Sequence, residues 1–338
     1  CKGNLSNILG KGRRIFMKFL KTLAIVVAAL LLIVGCKKDD TKKETTEKTT
    51  TETTETKTED KSEDKTEDKT EDKTEETTAG GEIHVVSREV GSGTRGAFTE
   101  ITKILSKNDK GEEVDSTYEE ATIVNSTEGV ITAVNGDALA IGYISLGSLN
   151  DEVKAVKVDG VEATPENIKK GDYKIARPFM LAYHEANLSD VAKDFIKFIM
   201  SKDGQEIVKE DGCIPMETTE SYKPANIEGR IAIAGSTSVT PLMEKLVDKY
   251  KELNPGFEAD IQSNGSSAGI QAAIEGVAEI GMSSRNLKPE ELEKVEAMPI
   301  AMDGIAVVVN NDNATEDISL DNIHKIFVGE VKDWNDVK

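Results

Sequence analysis

IAIAGSTSVTPLMEKL, residues 231–246, carries the reading that decides the fold. Ile231-Ala232-Ile233-Ala234 is a short apolar run suited to a buried strand. Pro241 stands near the start of the next helix, where proline is tolerated, and Leu242, Leu246, Val247 and Tyr250 form that helix's apolar face. Between strand and helix lies Gly235-Ser236-Thr237-Ser238. A helix N-terminus leaves backbone N–H groups unpaired and carries about half a positive charge. Small hydroxyl residues there let an oxyanion come close and add donors of their own. The arrangement recurs as Ser92-Gly93-Thr94 in SREVGSGTRGAF (87–98) and as Gly265-Ser266-Ser267 in SNGSSAGIQAAI (263–274). One such segment is only a helix cap. Three in one chain, with Arg88 four residues before Ser92, predict a socket for a tetrahedral oxyanion.

Outward from these segments the chain alternates strands and helices. Strands are expected at 83–86, 140–144 and 305–309, helices at 97–107, 191–209 and 318–327, and extended segments at 175–183 and 302–310. Residues 217–229 are polar and contain Pro224, so they read as a linker. This order predicts an α/β architecture with largely parallel sheets, in which ligands sit at the carboxyl ends of strands.

The amino-terminal quarter reads differently. Met17 to Lys21 is a short basic start, and Leu23 to Val34 is an unbroken apolar run of twelve residues. That is short for a membrane span and right for the core of an export signal. It ends in Ile33-Val34-Gly35-Cys36, which resembles a bacterial lipobox with Cys36 as the lipidated residue, so 17–36 is expected to be a lipoprotein signal peptide. Residues 1–16 are expected to be an untranslated upstream segment, with translation starting at Met17. Residues 37–80 are almost entirely Lys, Thr, Glu and Asp, repeat TEDK or SEDK four times, and are read as a disordered acidic, Thr-rich tether. With Cys1 and Cys36 set aside, Cys213 is left without a partner for an intrachain disulfide and reads as a buried, inert thiol. The formal net charge of −20 argues against nucleic acid as a partner. It does not exclude a small anion, because donors at contact distance dominate over surface charges screened within about 8–10 Å.

Together, AGSTSVTPLMEKL, SNGSSAGIQAAIEG, EIGMSSRNLK, DGIAVVVN, IHKIFVGEVKDWNDV and SREVGSGTRGAF resemble the phosphate-binding protein of bacterial phosphate ABC transporters, the PstS family. The resemblance covers essentially all of 82–338. It implies a two-lobed type II periplasmic-binding-protein fold, each lobe a mixed sheet flanked by helices, with phosphate in the cleft. The order of segments departs from the family, in which the SREVGSGTRG segment follows the Trp-Asn-Asp turn. Here it comes first, and the chain runs out at Trp334-Asn335-Asp336-Val337-Lys338. The departure reads as a circular permutation: 81–217 is the family's C-terminal half, 218–229 a linker, and 230–338 the family's N-terminal half. A reading frame truncated from a tandem gene is the alternative. Permutation predicts one lobe from about 186–217 with 230–303, the other from 305–338 with 82–174, and crossovers at 302–310 and 175–183.

The resemblance also assigns a site. Arg88, Ser92, Gly93 and Thr94 match the family's arginine and Ser-Gly-Thr unit. From the other lobe come Ser238, Val239 through its N–H, and Ser266, with Ser267 as a further candidate. Where many family members carry an aspartate that accepts the proton of hydrogen phosphate, this chain has Ser284. A carboxylate rejects fully ionised sulfate by setting acceptor against acceptor, whereas a serine rotates to donate or accept. Asp303 could replace the lost carboxylate, and Arg285 could pair with it or with the ligand. The expectation is a lipid-anchored, monomeric solute-binding protein on the outer face of the cell membrane, suited to a Gram-positive envelope. It delivers inorganic phosphate to a membrane-embedded permease, with no cofactor, metal or nucleic acid. Rival readings are a receptor for sulfate or molybdate, a phosphate sensor or adhesin, and a phosphate-ester hydrolase. Against the hydrolase, none of His84, His184 and His324 lies within a serine segment, and HExxH is absent.

Overall fold

Every strand that leads into a hydroxyl segment belongs to one continuous sheet. The computed structural model describes residues 80–337, which lie in the unit Asp72–Lys338. The expected upstream segment, signal peptide, Cys36 and the tether up to residue 79 lie outside the described residues.

The sheet runs, in spatial order, Phe257–Ser263, Gly229–Gly235, Ile280–Ser283, Ala176–Tyr183, Glu296–Val309, Ala140–Ser145, His84–Arg88 and Thr122–Val124. The first three strands pair in parallel, as do the last three. The middle is antiparallel: Ala176–Tyr183 pairs with Ile280–Ser283 on one side and Glu296–Val309 on the other, and the latter also pairs with Ala140–Ser145. The sheet is therefore mixed, where the alternation of elements alone suggested largely parallel pairing. The two extended segments cause the difference. They bond to each other while passing between the two halves, and a chain that crosses one way must return the other.

The longer of them begins at Glu296, before the apolar run that is plain in the sequence. Pro299 hid this stretch, since proline cannot donate to a ladder, and the register slips between Pro299 and Ala301. Two helices also end earlier than their apolar patterns suggested. The first is Gly93–Ile101. Thr102 Oγ1 bonds back to Phe98 O, Lys103 turns to φ +62°, and Leu105–Lys107 leaves as a strand of a small hairpin with Glu113–Asp115. The stretch 191–209 is two helices, Asp190–Ile199 and Lys202–Glu210, broken where Ser201 caps the second by accepting from Gly204 N at 3.3 Å. The last helix starts at Leu320 behind its cap Ser319, because Asp317–Ile318 pairs as a strand with Lys157–Val158.

Two apolar cores flank the antiparallel middle. One packs Phe195, Phe198, Leu242, Leu246, Tyr250 and Phe257 against Ile231, Ile280 and Ile300. The other packs Phe98, Tyr143, Ile305, Val307, Ile323 and Phe327 around Ile83 and Trp334. The stretch expected to be a linker, 217–229, has no regular structure before Gly229, yet it is pinned. Tyr222 is buried, its hydroxyl donates to Asp194 Oδ2 at 2.5 Å and accepts from Asn254 Nδ2 at 3.0 Å, and its N–H donates to Asp203 Oδ2. Tyr222→Phe removes a charge-assisted bond and should destabilise the protein by about 1.5–3 kcal/mol in urea unfolding. An unchanged midpoint would show that the pin contributes nothing.

The two ends of the described chain lie together. Ile83 N donates to Lys332 O at 2.7 Å, Trp334 N donates to Gly81 O at 2.9 Å, and Glu82 bridges Asp333.

Candidate functional site

Parallel strands that each end in a small-residue turn aim the following helices at one point. Strand His84–Arg88 leads to helix Gly93–Ile101 with Ser92 as N-cap, and Gly229–Gly235 leads to Thr240–Leu253. Strand Phe257–Ser263 leads to Ser266–Glu275, and Thr122–Val124 leads to Thr127–Asn135 with Ser126 as N-cap. The four helix N-termini present hydroxyls to one another across the gap between the cores.

The hydroxyls form a connected cluster. Thr94 Oγ1 lies 2.8 Å from Ser238 Oγ, and Thr127 Oγ1 lies 3.1 Å from the same atom. Ser236 Oγ donates to Ser284 Oγ at 2.8 Å, Ser266 Oγ lies 3.3 Å from Ser284 Oγ, and Ser284 N donates to Ser266 Oγ at 3.0 Å. Arg88 enters from the side. Its Nε and Nη2 donate to the two oxygens of Glu89 at 2.9 and 3.0 Å, and Nη2 also donates to Thr237 Oγ1 at 2.9 Å. Arg88, Ser92, Thr94, Thr127, Ser236, Ser238, Ser266 and Ser284 are each 6% exposed or less. Beneath Arg88, the Tyr143 hydroxyl accepts from Arg88 N at 3.3 Å and bonds Ser87 Oγ, and burial pushes that phenol up, so it stays neutral. Tyr143 stacks on Phe98 with centroids 3.9 Å apart, which fixes the strand end to the helix it feeds.

Gly93 packs directly against Ser266 and Ser284. A Cβ there would lie 2.6 Å from Ser284 Oγ and closer still to Ser266 Oγ. The first-turn N–H groups of Gly93 and Thr94 have no carbonyl to bond within their own helix. Buried donors on four helix ends, with one permanently charged guanidinium, can hold an oxyanion and shut water out.

The other sequence candidates are placed as follows. Val239 is buried, and its N–H goes to Ser236 O at 3.1 Å, not into the cluster. Ser267 sits at the edge: its N–H donates to Gly91 O at 3.1 Å, and its hydroxyl accepts from Arg285 Nη2 at 3.2 Å. Arg285 makes a two-pronged pair with Glu291 at 2.8 Å per bond, and its partner is not Asp303. Arg285 and Ser267, with Arg95 and Val90, line an outer cleft of about 790 Å³. Asp303 is fully buried, and its Oδ2 is held by Arg177. Three participants escaped the sequence reading: Thr127, Glu89 and Arg177. Thr127 had a signal, since Asn125-Ser126-Thr127-Glu128-Gly129 before an apolar run is an N-cap pattern. Arg177, an arginine inside an extended Arg-Pro stretch, had none.

The sequence model of the PBP superfamily domain matches residues 20–203 and 220–338. A curated relative, phosphate-binding protein PstS 2 of Streptococcus pneumoniae serotype 4, is 50% identical over 262 residues, 77% of this chain and 89% of the relative. The chain belongs to the PBP superfamily, within the PstS family. A crystal structure of a phosphate ABC transporter phosphate-binding protein from Streptococcus pneumoniae TIGR4 shares 49% identity with it. The match covers 76% of this chain and 100% of that one, with a TM-score of 0.62. The PstS protein of Bacillus subtilis matches differently: 34% identity over 114 residues, 32% of this chain and 37% of the relative. PstS membership makes this a solute-binding protein and not an enzyme. Among its histidines, His84 pairs with Asp137 at the surface and His324 bonds Thr102 O.

Proposed function

We propose that this chain is an extracytoplasmic solute-binding protein that captures inorganic phosphate between its two lobes and delivers it to an ABC permease. One observation carries the reading: a buried guanidinium and hydroxyls from four helix N-termini meet with almost no exposed surface. Such an enclosure suits a free tetrahedral anion and leaves no path for the organic arm of an ester, which sets it against the phosphate-ester hydrolase. The magnitudes suffice. Hydrogen bonds to a charged group contribute about 1.5–3 kcal/mol each, and micromolar affinity needs about 8 kcal/mol net.

Sulfate or molybdate remains a second reading through one contact. Ser284 Oγ accepts a proton from Ser236 and lies 3.3 Å from Ser266 Oγ, so its own proton can turn from Ser266 towards a ligand. A donor there welcomes a fully ionised oxyanion as readily as hydrogen phosphate. Calorimetric titration of phosphate-free protein should show saturable one-to-one phosphate binding, with sulfate competing. Folded protein that takes up no phosphate would sink the reading, and indifference to sulfate would mean that a carboxylate elsewhere reads the phosphate proton.

The permutation is part of the same proposal, with 81–217 as the family's C-terminal half, 218–229 as the joint and 230–338 as its N-terminal half. Its support is that the two described ends are hydrogen-bonded neighbours. The streptococcal relative aligns over 89% of its length, and the Bacillus one over 37%. A chain with Lys338 joined to Gly80 by a short Gly/Ser bridge and opened between Glu217 and Thr218 should fold and bind as the parent does. Failure to fold would count against the permutation. The reading also includes a lipid on Cys36 as membrane anchor, a monomeric state and a Gram-positive cell surface. A shift in mass on palmitate labelling that is lost in Cys36→Ala tests the anchor.

A further inference from the structure

The two strands that pass between the cores carry a buried ion pair at one matched position, and the anion cluster does not use it directly. Asp303 and Arg177 are register partners across Glu296–Val309 and Ala176–Tyr183. Arg177 donates to Asp303 Oδ2 from Nε at 3.3 Å and from Nη2 at 3.1 Å, and neither side chain is more than 1% exposed. Its remaining nitrogen, Nη1, donates to the backbone carbonyl of Ser284 at 3.1 Å. Ser284 is the residue that ties Ser236 to Ser266 in the cluster. The guanidinium therefore stands between the carboxylate and the floor of the site, with the positive end of the pair towards the hydroxyls. It is close enough to Arg88 for the two charges to repel. The Phe179 ring, 5.5 Å away, backs it.

Two buried charges are a poor way to brace a hinge. Apolar side chains of similar volume often stabilise as well or better, so the pair calls for another role. Other groups near Asp303 do not replace Arg177: Cys213 Sγ, 4.0 Å from Oδ1, is a thiol that burial keeps protonated.

We propose that Arg177 is a positioning residue for the anion site. It fixes Ser284 through its carbonyl and sets a second buried positive charge beneath the bound oxyanion, while Asp303 is the counter-charge that limits how strongly this charge is felt. The inference rests on the anion-site reading above. It gives Asp303 a tuning role in place of the proton-accepting one suggested by the sequence.

The sign of the effect separates this role from that of a brace. In Asp303→Asn the size is kept and the carboxylate charge is gone, so the bound anion becomes a nearby negative partner for Arg177. Oxyanion binding should tighten by about tenfold, the range of a modest coupling between sites. The unliganded protein should melt earlier. In the double variant Arg177→Gln with Asp303→Asn, an uncharged pair replaces the ion pair, and binding should weaken by about tenfold. A brace predicts no tightening in Asp303→Asn.

The experiment is calorimetric titration of the full chain and both variants with phosphate and with sulfate, alongside melting with and without phosphate. The expected order of affinity is Asp303→Asn, then wild type, then the double variant, with the largest phosphate-induced rise in melting temperature in Asp303→Asn. A folded Asp303→Asn protein that binds no more tightly than wild type overturns the inference. If that variant does not fold, the double variant decides, and affinity within twofold of wild type overturns it. Wild-type protein that binds neither anion ends the anion-site reading, and this inference falls with it. Wild-type binding without the expected order leaves that reading intact and removes this inference alone.

Discussion

Gly93→Ala should weaken oxyanion binding roughly 10–100-fold while leaving the fold as stable as before, or slightly more so. The added methyl would be 2.6 Å from Ser284 Oγ and nearer to Ser266 Oγ, so the two sides of the site could not close to their present separation. Overpacking of this kind costs about 1–3 kcal/mol, and here the loss falls on the closed, anion-holding arrangement, which makes it roughly 10–100-fold in affinity. Gly93 opens its helix without an unusual backbone angle, and alanine is the better helix former there. Melting and titration should therefore move apart, with the melting temperature unchanged or raised and the affinity reduced. Affinity within threefold of wild type would mean that the cluster is not where the anion sits.

Arg88→Lys should weaken binding by roughly 100-fold, and Arg88→Met by more. The guanidinium holds Glu89 with two bonds and Thr237 with a third, a fork that an ammonium cannot reproduce. Losing one or two charge-assisted bonds costs about 1.5–3 kcal/mol each, which sets the scale. The methionine variant also leaves the Glu89 carboxylate beside the site with no counter-charge, where it repels an incoming anion. Titration at two salt concentrations checks this. The defect should persist at high salt because the guanidinium is sheltered from solvent, and a defect that vanished with screening would place Arg88 outside the site.

What could be read in the sequence was local. Each hydroxyl segment announces itself within a dozen residues, because a strand, a small-residue turn and an apolar helical face follow in order. The apolar runs at 305–309 and 231–234 likewise reveal buried strands. What remained hidden depends on distant partners. Arg177 and Asp303 are 126 positions apart, and only strand register sets one beside the other. Thr127 and Ser238 are 111 apart, and they meet because two helices far apart in the chain begin at one place. Arg285 looked free to reach the ligand because its i+6 partner, Glu291, lies in the short helix Pro289–Leu292, beyond the usual helical spacing. The largely parallel sheet expected from alternation gave way in the middle, where geometry requires a returning strand and no residue pattern signals it.

The near-complete burial of the cluster has a kinetic consequence. An anion held there has no exit along the protein surface; it leaves only when the two halves separate. Its residence time is then set by how often the halves part with the anion in place, and an anion bonded to both halves slows that parting. Of two anions, the one that bonds both halves more strongly should stay longer. A partner that pulls the halves apart would thereby control the moment of release without touching the anion.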